Sequence, residues 1–444
     1  MQHEIGTCGA RDDATMHSVF RRVRDDGPTH TAAAPSTENA AQVIRFTCCR
    51  LLRDHALRSG EDLWVCGGVV VDPQELFWKG RTADMTIDCG GLILAPGFIE
   101  LQLNGGWGVD FSTPGPDLAN GLQRVAQRLL AHGVTAFLPT VITSSPDNYR
   151  AILPQLVPTT GSAHGAAVLG VHLEGPFLSP EKPGCHPLEH IIAPDGQPNA
   201  LSRACGAHTS HIRLVTLAPE RPGATMLISE LTAQNVLVAA GHSMATASEM
   251  EAAQAAGVRM CTHLFNAMPA FHPLEPGIIG VLGSPVQPIA YFGLIADGVH
   301  VHPASVKIAA TVRPDSVVLV SDAMIAMGLP EGRYSFGEVG DVDVVGGDRV
   351  YRAGTSTLAG AVVPLDECVR RFRQYAGCTI VAALEAASLH PAQALGIDAK
   401  KGCLEPGADA DFVLLDDNLQ VRHCYIAGER VWPAANGPEA VAKW

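Results

Sequence analysis

Eight short apolar runs recur through the middle of this chain, and they constrain its fold more than any other feature. They are Phe98–Leu103, Thr135–Leu138, Val168–Leu173, Ile212–Leu217, Val236–Ala240, Val258–Thr262, Ala290–Ala296 and Val317–Ser321. Continuous apolar runs of this length read as strands buried on both faces, the habit of parallel sheets. Several gaps between them carry helical patterns. Leu118, Leu122, Val125 and Leu129 fall at i, i+4, i+7 and i+11, and Gly133 closes that helix. Thr246 and Glu249 form a capping box that opens a helix ending at Gly257. Eight strand–helix units in one chain predict an α/β fold, a closed (β/α)8 TIM-type barrel over residues 96–399.

The flanks have a different texture. Residues 43–95 hold short apolar runs broken by turns, such as Leu63–Cys66 and Val69–Val71 around Gly67-Gly68. Residues 400–435 resemble them, with Phe412–Leu415 and Tyr425–Gly428. The two segments together predict one small β-sandwich domain. Residues 1–42 contain few large apolar side chains and are expected to form a mobile tail.

A formal charge of −14 argues against nucleic-acid or anionic-membrane binding, which rests on Lys and Arg neutralising phosphates. No apolar stretch approaches the ~20 residues that span a bilayer. The 12 cysteines include no C-x-x-C pair and stand mostly inside apolar runs, as reduced core thiols do. A cytoplasmic protein is the expectation. Only 5 % of residues are aromatic, which offers no stacking platform for a carbohydrate-binding module.

The chemistry sits at the strand ends. The third run ends at Glu174, the fifth at His242, the sixth at His263 and the eighth at Asp322. In a (β/α)8 barrel those ends open onto one face, where catalytic groups converge. One such residue alone would usually be a hydrogen-bonded loop residue; four at four strand ends read as a site. Two imidazoles and a carboxylate suit a catalytic zinc or similar divalent ion with one position open to water. Asp322 is then available to handle a proton.

Several motifs carry a resemblance. Ala95-Pro96-Gly97-Phe98-Ile99-Glu100, His172-Leu173-Glu174-Gly175-Pro176, Gly241-His242-Ser243 and Thr262-His263-Leu264-Phe265-Asn266-Ala267-Met268 are among them. Ala296-Asp297-Gly298-Val299-His300, Ser321-Asp322-Ala323 and Ser388-Leu389-His390-Pro391-Ala392 complete the set. Together they resemble the N-acetylglucosamine-6-phosphate deacetylases of the amidohydrolase superfamily, from about Gln42 to Trp432. The stretch Phe46–Leu52 is similar to the animal branch.

That resemblance implies hydrolysis of the acetyl amide of N-acetylglucosamine 6-phosphate in a homodimer whose active sites are each completed by the partner. It implies one divalent ion per subunit, zinc by preference, on Glu174, His242 and His263. Asp322 would be the acid–base and His186 the donor to the oxyanion. Asn266, Ala267 and His300 would bind the substrate phosphate together with an arginine from the neighbouring subunit. Where many amidohydrolases carry a first-strand His-x-His for a second metal, this chain has Gln102 and Asn104. Neutral amides are poor ligands for a transition ion, so both are placed with the substrate-binding residues.

Two positions depart from the family. Leu274 stands where an arginine is usual, and Pro183 where a basic residue commonly precedes the glycine. An isobutyl group cannot replace a guanidinium that grips phosphate with two bonds. Either His272 and Lys182 compensate, or phosphate recognition is weaker, or the preferred substrate differs. The competing readings are an amidohydrolase acting on another N-acylated or cyclic amide, and an inactive relative with an assembly role. The first usually needs His-x-His, and the second tends to lose metal ligands.

Overall fold

The computed structural model describes residues 41–433, apart from 289 and 337–339. All but the last two residues of the expected tail, 1–42, lie outside the described residues.

The eight apolar runs form the barrel. We number its strands β1 (Phe98–Leu103), β2 (Val134–Ile142), β3 (Val171–Glu174), β4 (Ile212–Leu217), β5 (Leu237–Ala240), β6 (Met260–Cys261), β7 (Tyr291–Leu294) and β8 (Val317–Leu319). Each pairs in parallel with the next. The β8–β1 seam closes just past the end of β8, through a bridge between Leu103 and Ala323 and a bond from Asp322 N–H to Gln102 O at 2.9 Å. Two runs are shorter than their apolar pattern. Gly170, at φ 144°, interrupts the third run, so that Ala167–Val168 pairs separately. Val258 is drawn out of the sixth because its N–H closes the preceding helix on Ala253 O at 2.9 Å.

Side chains pointing inward fill the barrel in layers. The lower layer is apolar: Ile99, Leu101, Leu138, Leu214, Met260 and Val318. Above it lies a polar layer. His172 Nδ1 is 3.2 Å from Thr140 Oγ1, His172 Nε2 is 2.8 Å from Thr216 Oγ1, and Thr216 Oγ1 is 2.7 Å from Thr262 Oγ1. Burial pushes the His172 imidazole down to about 4, so this floor is neutral at physiological pH. His172 and Glu174 are two residues apart on β3, and the alternation of a strand puts both on the inner face.

Helices wrap the outside. Leu118–Leu129 turns Leu118, Leu122, Val125 and Leu129 inward, and Gly133 at φ 71° ends the segment as the pattern predicts. A Cβ at Gly133 would stand 3.0 Å from Val413 and 3.3 Å from Phe98, so only glycine fits this junction. The helix Ala247–Ala256 starts from the expected capping box, with both reciprocal bonds of Thr246 and Glu249 in place.

The chain ends build the sandwich. One sheet has six strands in the order 429–432, 421–426, 412–415, 93–96, 50–53 and 56–59; the other has four, in the order 69–70, 63–66, 43–47 and 85–88. Phe46, Leu51, Val65, Leu94, Phe412 and Tyr425 share the core between them. Phe412 stacks on Tyr425 with ring centroids 4.6 Å apart, and Phe46 meets Phe412 edge-on at 4.9 Å. A three-stranded antiparallel sheet of 332–336, 340–345 and 349–352 follows β8 and has no counterpart in the sequence reading.

Candidate metal centre and active site

Three of the predicted strand-end residues meet at a point. Glu174 ends β3, His242 follows β5 by two residues, and His263 follows β6 by two. His242 Nε2 and His263 Nε2 are 3.0 Å apart, and Glu174 Oε1 is 3.3 and 3.1 Å from them. All three residues are buried. A tetrahedral ion with ligand bonds of about 2.0–2.2 Å holds its donors roughly 3.3–3.6 Å apart, close to this triangle. Among the described residues this is the group of His, Cys, Asp or Glu side chains arranged to hold a metal ion.

Hydrogen bonds around the triangle set which atoms face inward. His242 Nδ1 lies 2.9 Å from Lys182 O. A carbonyl only accepts, so Nδ1 carries the proton and Nε2 presents its lone pair. Gln102 Nε2 donates to Glu174 Oε1 at 2.9 Å. Burial alone would raise the Glu174 carboxyl, but the adjacent His242 and His263 rings hold it well below the usual range. The donor set therefore fits a divalent cation.

His186 has the opposite tautomer. Thr143 N–H donates into His186 Nδ1 at 3.1 Å, so Nδ1 holds the lone pair and Nε2 the proton. That Nε2 is 3.8 Å from Glu174 Oε2. Burial, then the neighbouring His242, push the imidazole down to about 3. His186 is thus a neutral N–H donor beside the triangle.

Asp322 lies just past the end of β8. Its side chain opens partly to the mouth, and its Oδ1 accepts from Asn104 Nδ2 at 2.7 Å. Desolvation, reinforced by the Glu174 carboxylate, pushes its carboxyl up to about 7. A bound cation would draw that value back down. Gln102 and Asn104 thus each hold one site carboxylate, through an amide that donates where a histidine would ligate.

The other predicted residues spread around the mouth. His300 Nδ1 is 2.6 Å from Asp297 Oδ2, while Asp297 Oδ1 accepts from Val299 N–H and His300 N–H at 2.8 Å each. Burial would lower the His300 imidazole, yet Asp297 raises it above its ordinary value. Asn266 is half-buried, and Ala267 O accepts from Ser243 N–H at 3.2 Å. His272 is not drawn into this network. It lies on an exposed turn where Nδ1 accepts from Leu274 N–H at 3.2 Å, and Leu274 itself is 88 % exposed.

Sequence reasoning passed over several supports. Glu220, in the loop after β4, accepts from Ser243 Oγ at 2.6 Å and from Met244 N–H at 2.7 Å, which fixes the turn carrying His242. Asp297 stood in a quoted motif without a role, and Thr143 carried no signal because its backbone does the work. His242, His263, Phe265, Ala267 and Asp322 all have positive φ, 48°, 29°, 79°, 49° and 48°. Left-handed backbone at non-glycine residues costs about 1–2 kcal/mol each, and such strain gathers where geometry is imposed for function.

Comparison with known proteins agrees with this arrangement. The amidohydrolase family model matches residues 93–431. An N-acetylglucosamine-6-phosphate deacetylase of Bos taurus is 50 % identical over 396 residues, 88 % of this chain and 96 % of that protein. The protein of the same name from Homo sapiens is 49 % identical over 398 residues, 89 % of this chain and 97 % of its own. Among solved structures, an aspartate-to-alanine mutant of the Mycobacterium smegmatis N-acetyl-D-glucosamine-6-phosphate deacetylase in complex with N-acetyl-D-glucosamine-6-phosphate superposes with a TM-score of 0.73. It is 30 % identical and covers 88 % of this chain and all of that one.

The purified protein should carry close to one divalent ion per chain by elemental analysis. His263→Ala should weaken binding at least about tenfold, since changes even outside the ligand shell cost 10–100-fold. Undiminished metal in that variant would remove the triangle from this role.

Proposed function

Because the chain belongs to the amidohydrolase family, we propose that it hydrolyses the acetyl amide of N-acetylglucosamine 6-phosphate, releasing acetate and glucosamine 6-phosphate. The observation that carries this reading is similarity over most of the chain, with about half the residues identical, to relatives bearing that activity in their names. The strand-end groups support it.

Glu174, His242 and His263 would hold the ion, zinc being the choice that two imidazoles and a carboxylate favour. Such an ion supplies Lewis acidity, which acidifies water and polarises a carbonyl. Asp322, ionised, takes the proton of the attacking water and later passes it to the departing amine. Asn104 holds that carboxylate in place. His186, neutral and with its proton on Nε2, donates to the oxyanion that develops on the acetyl group. The backbone at Asn266-Ala267 and the imidazole of His300 take the substrate phosphate. Asp297 raises the His300 imidazole, which favours its protonated form at that position, where Leu274 supplies no cation.

We infer a homodimer from an apolar groove of about 900 Å³ beside the site, lined by Met250, Phe265, Phe271, Ile279, Leu282 and Ile308. Phe271 and Ile308 are 62 % and 57 % exposed in the single chain, and apolar grooves of this kind mark protein contacts. A monomeric mass by light scattering would overturn this. The 11 unpaired cysteines among the described residues suit a reducing compartment, and we place the protein in the cytoplasm, with cell fractionation as the check. No helix among the described residues is long and apolar enough to cross a membrane.

Asp322→Asn should retain the metal and lose about 10²–10⁴ in kcat, the range of general acid–base catalysis. Unchanged turnover would remove Asp322 from the proton transfers. The substrate is tested by kcat/KM for N-acetylglucosamine 6-phosphate against unphosphorylated N-acetylglucosamine. A preference of about a hundredfold or more, ~2.7 kcal/mol, is expected. Equal rates would leave deacetylation standing and refute the sugar phosphate as substrate.

A further inference from the structure

Glu100 carries a fully buried carboxyl group, pushed up to about 8 by that burial, which the chemistry above does not use. It lies on β1, where the register against β2 shifts between the pairs Phe137–Glu100 and Pro139–Leu103. A strand that leaves its ladder strands its own N–H groups, and buried ones must find partners. Here side chains supply them. Leu103 N–H donates to Thr140 Oγ1 at 3.0 Å, and Gln102 N–H donates to Glu100 Oε1 at 3.1 Å.

The other oxygen of Glu100 reaches across the seam. Ser321 N–H donates to Glu100 Oε2 at 3.0 Å, and Ser321 Oγ in turn accepts from Ala323 N–H at 3.3 Å. Between those two residues stands Asp322, in left-handed backbone at φ 48° and with its own N–H on Gln102 O at 2.9 Å. One carboxyl group, accepting at both oxygens, therefore ties together the bulge that presents Gln102 to Glu174 and the strained turn that presents Asp322 to Asn104. Glu100 fixes the backbone directly before Asp322, and Ser321 Oγ carries the hold on to Ala323 N–H just after it.

We propose that Glu100 is a positioning residue for the reaction, clamping the β1–β8 seam so that Asp322 is held in its left-handed conformation and aimed into the site. This rests on Asp322 being the acid–base. Glu100 touches neither the metal triangle nor the open mouth, so its loss acts on turnover rather than on metal or substrate binding.

The test is Glu100→Gln, which keeps size and one acceptor but sets an N–H donor against a backbone N–H. Metal-replete Glu100→Gln is expected to lose at least tenfold in kcat, with KM within about twofold of wild type and the metal stoichiometry unchanged. Glu100→Asp and Glu100→Asn, equal in size and differing in acceptors, provide the second comparison. The Asp variant should be the more active of the two, and the pair decides the matter if Glu100→Gln is not recovered folded. Wild-type kcat in Glu100→Gln, equal activities in the Asp and Asn variants, or a loss that follows metal content or KM would overturn the proposal. Asp322→Asn is assayed alongside. If it is inactive while Glu100→Gln is not, only the clamp fails; if it is active, the acid–base reading fails and the clamp with it.

Discussion

Three electron-rich atoms, two ring nitrogens and a carboxylate oxygen, converge within 3.0–3.3 Å of one another in the buried mouth of the barrel. Taken out of water, such a cluster is unfavourable unless positive charge compensates it. Much of the surrounding structure reads as preparation for that charge. Lys182 O turns His242 so that its lone pair faces inward, and Gln102 occupies a lone pair of Glu174 without adding charge. The His172 floor beneath is neutral and adds no charge of its own. His186, held in the other tautomer by Thr143 N–H, turns its ring N–H towards the triangle.

The barrel and most of the site were legible in the sequence for a simple reason. A strand buried on both faces must be apolar along its length, so a polar residue at its end stands out. Glu174, His242, His263 and Asp322 were visible on that ground alone. The two helices with clear periodicity or a capping box began and ended where their signals placed them. The sandwich was legible because both chain ends alternate short apolar runs with turns.

What stayed hidden depends on partners that sequence does not pair. Gln102 and Asn104 read as residues for the substrate; the bonds their amide nitrogens donate to Glu174 and Asp322 could not be read from sequence. Nothing local to Thr143 announces that its N–H decides a tautomer 43 residues away. The bulge at Glu100 comes from a register shift, which only the neighbouring strand reveals. The sheet of 332–352 was a different kind of miss. Val342, Val344 and Val350 alternate around Gly346-Gly347, a hairpin pattern that was open to reading and was passed over.

The sandwich has a consequence for how the chain comes into being. The strand 93–96 pairs on one side with 50–53 and on the other with 412–415, more than 300 residues later. During synthesis the amino-terminal half of that sheet leaves the ribosome long before its partner exists. Its edge, and the face of Phe46 that Phe412 will cover, must wait through the making of the whole barrel. Closing a loop of that length is entropically uphill and slow, and an uncovered strand edge invites pairing with other chains. The strands of 412–432 thus complete a sheet begun near the other end of the chain, and until they arrive that edge stays uncovered.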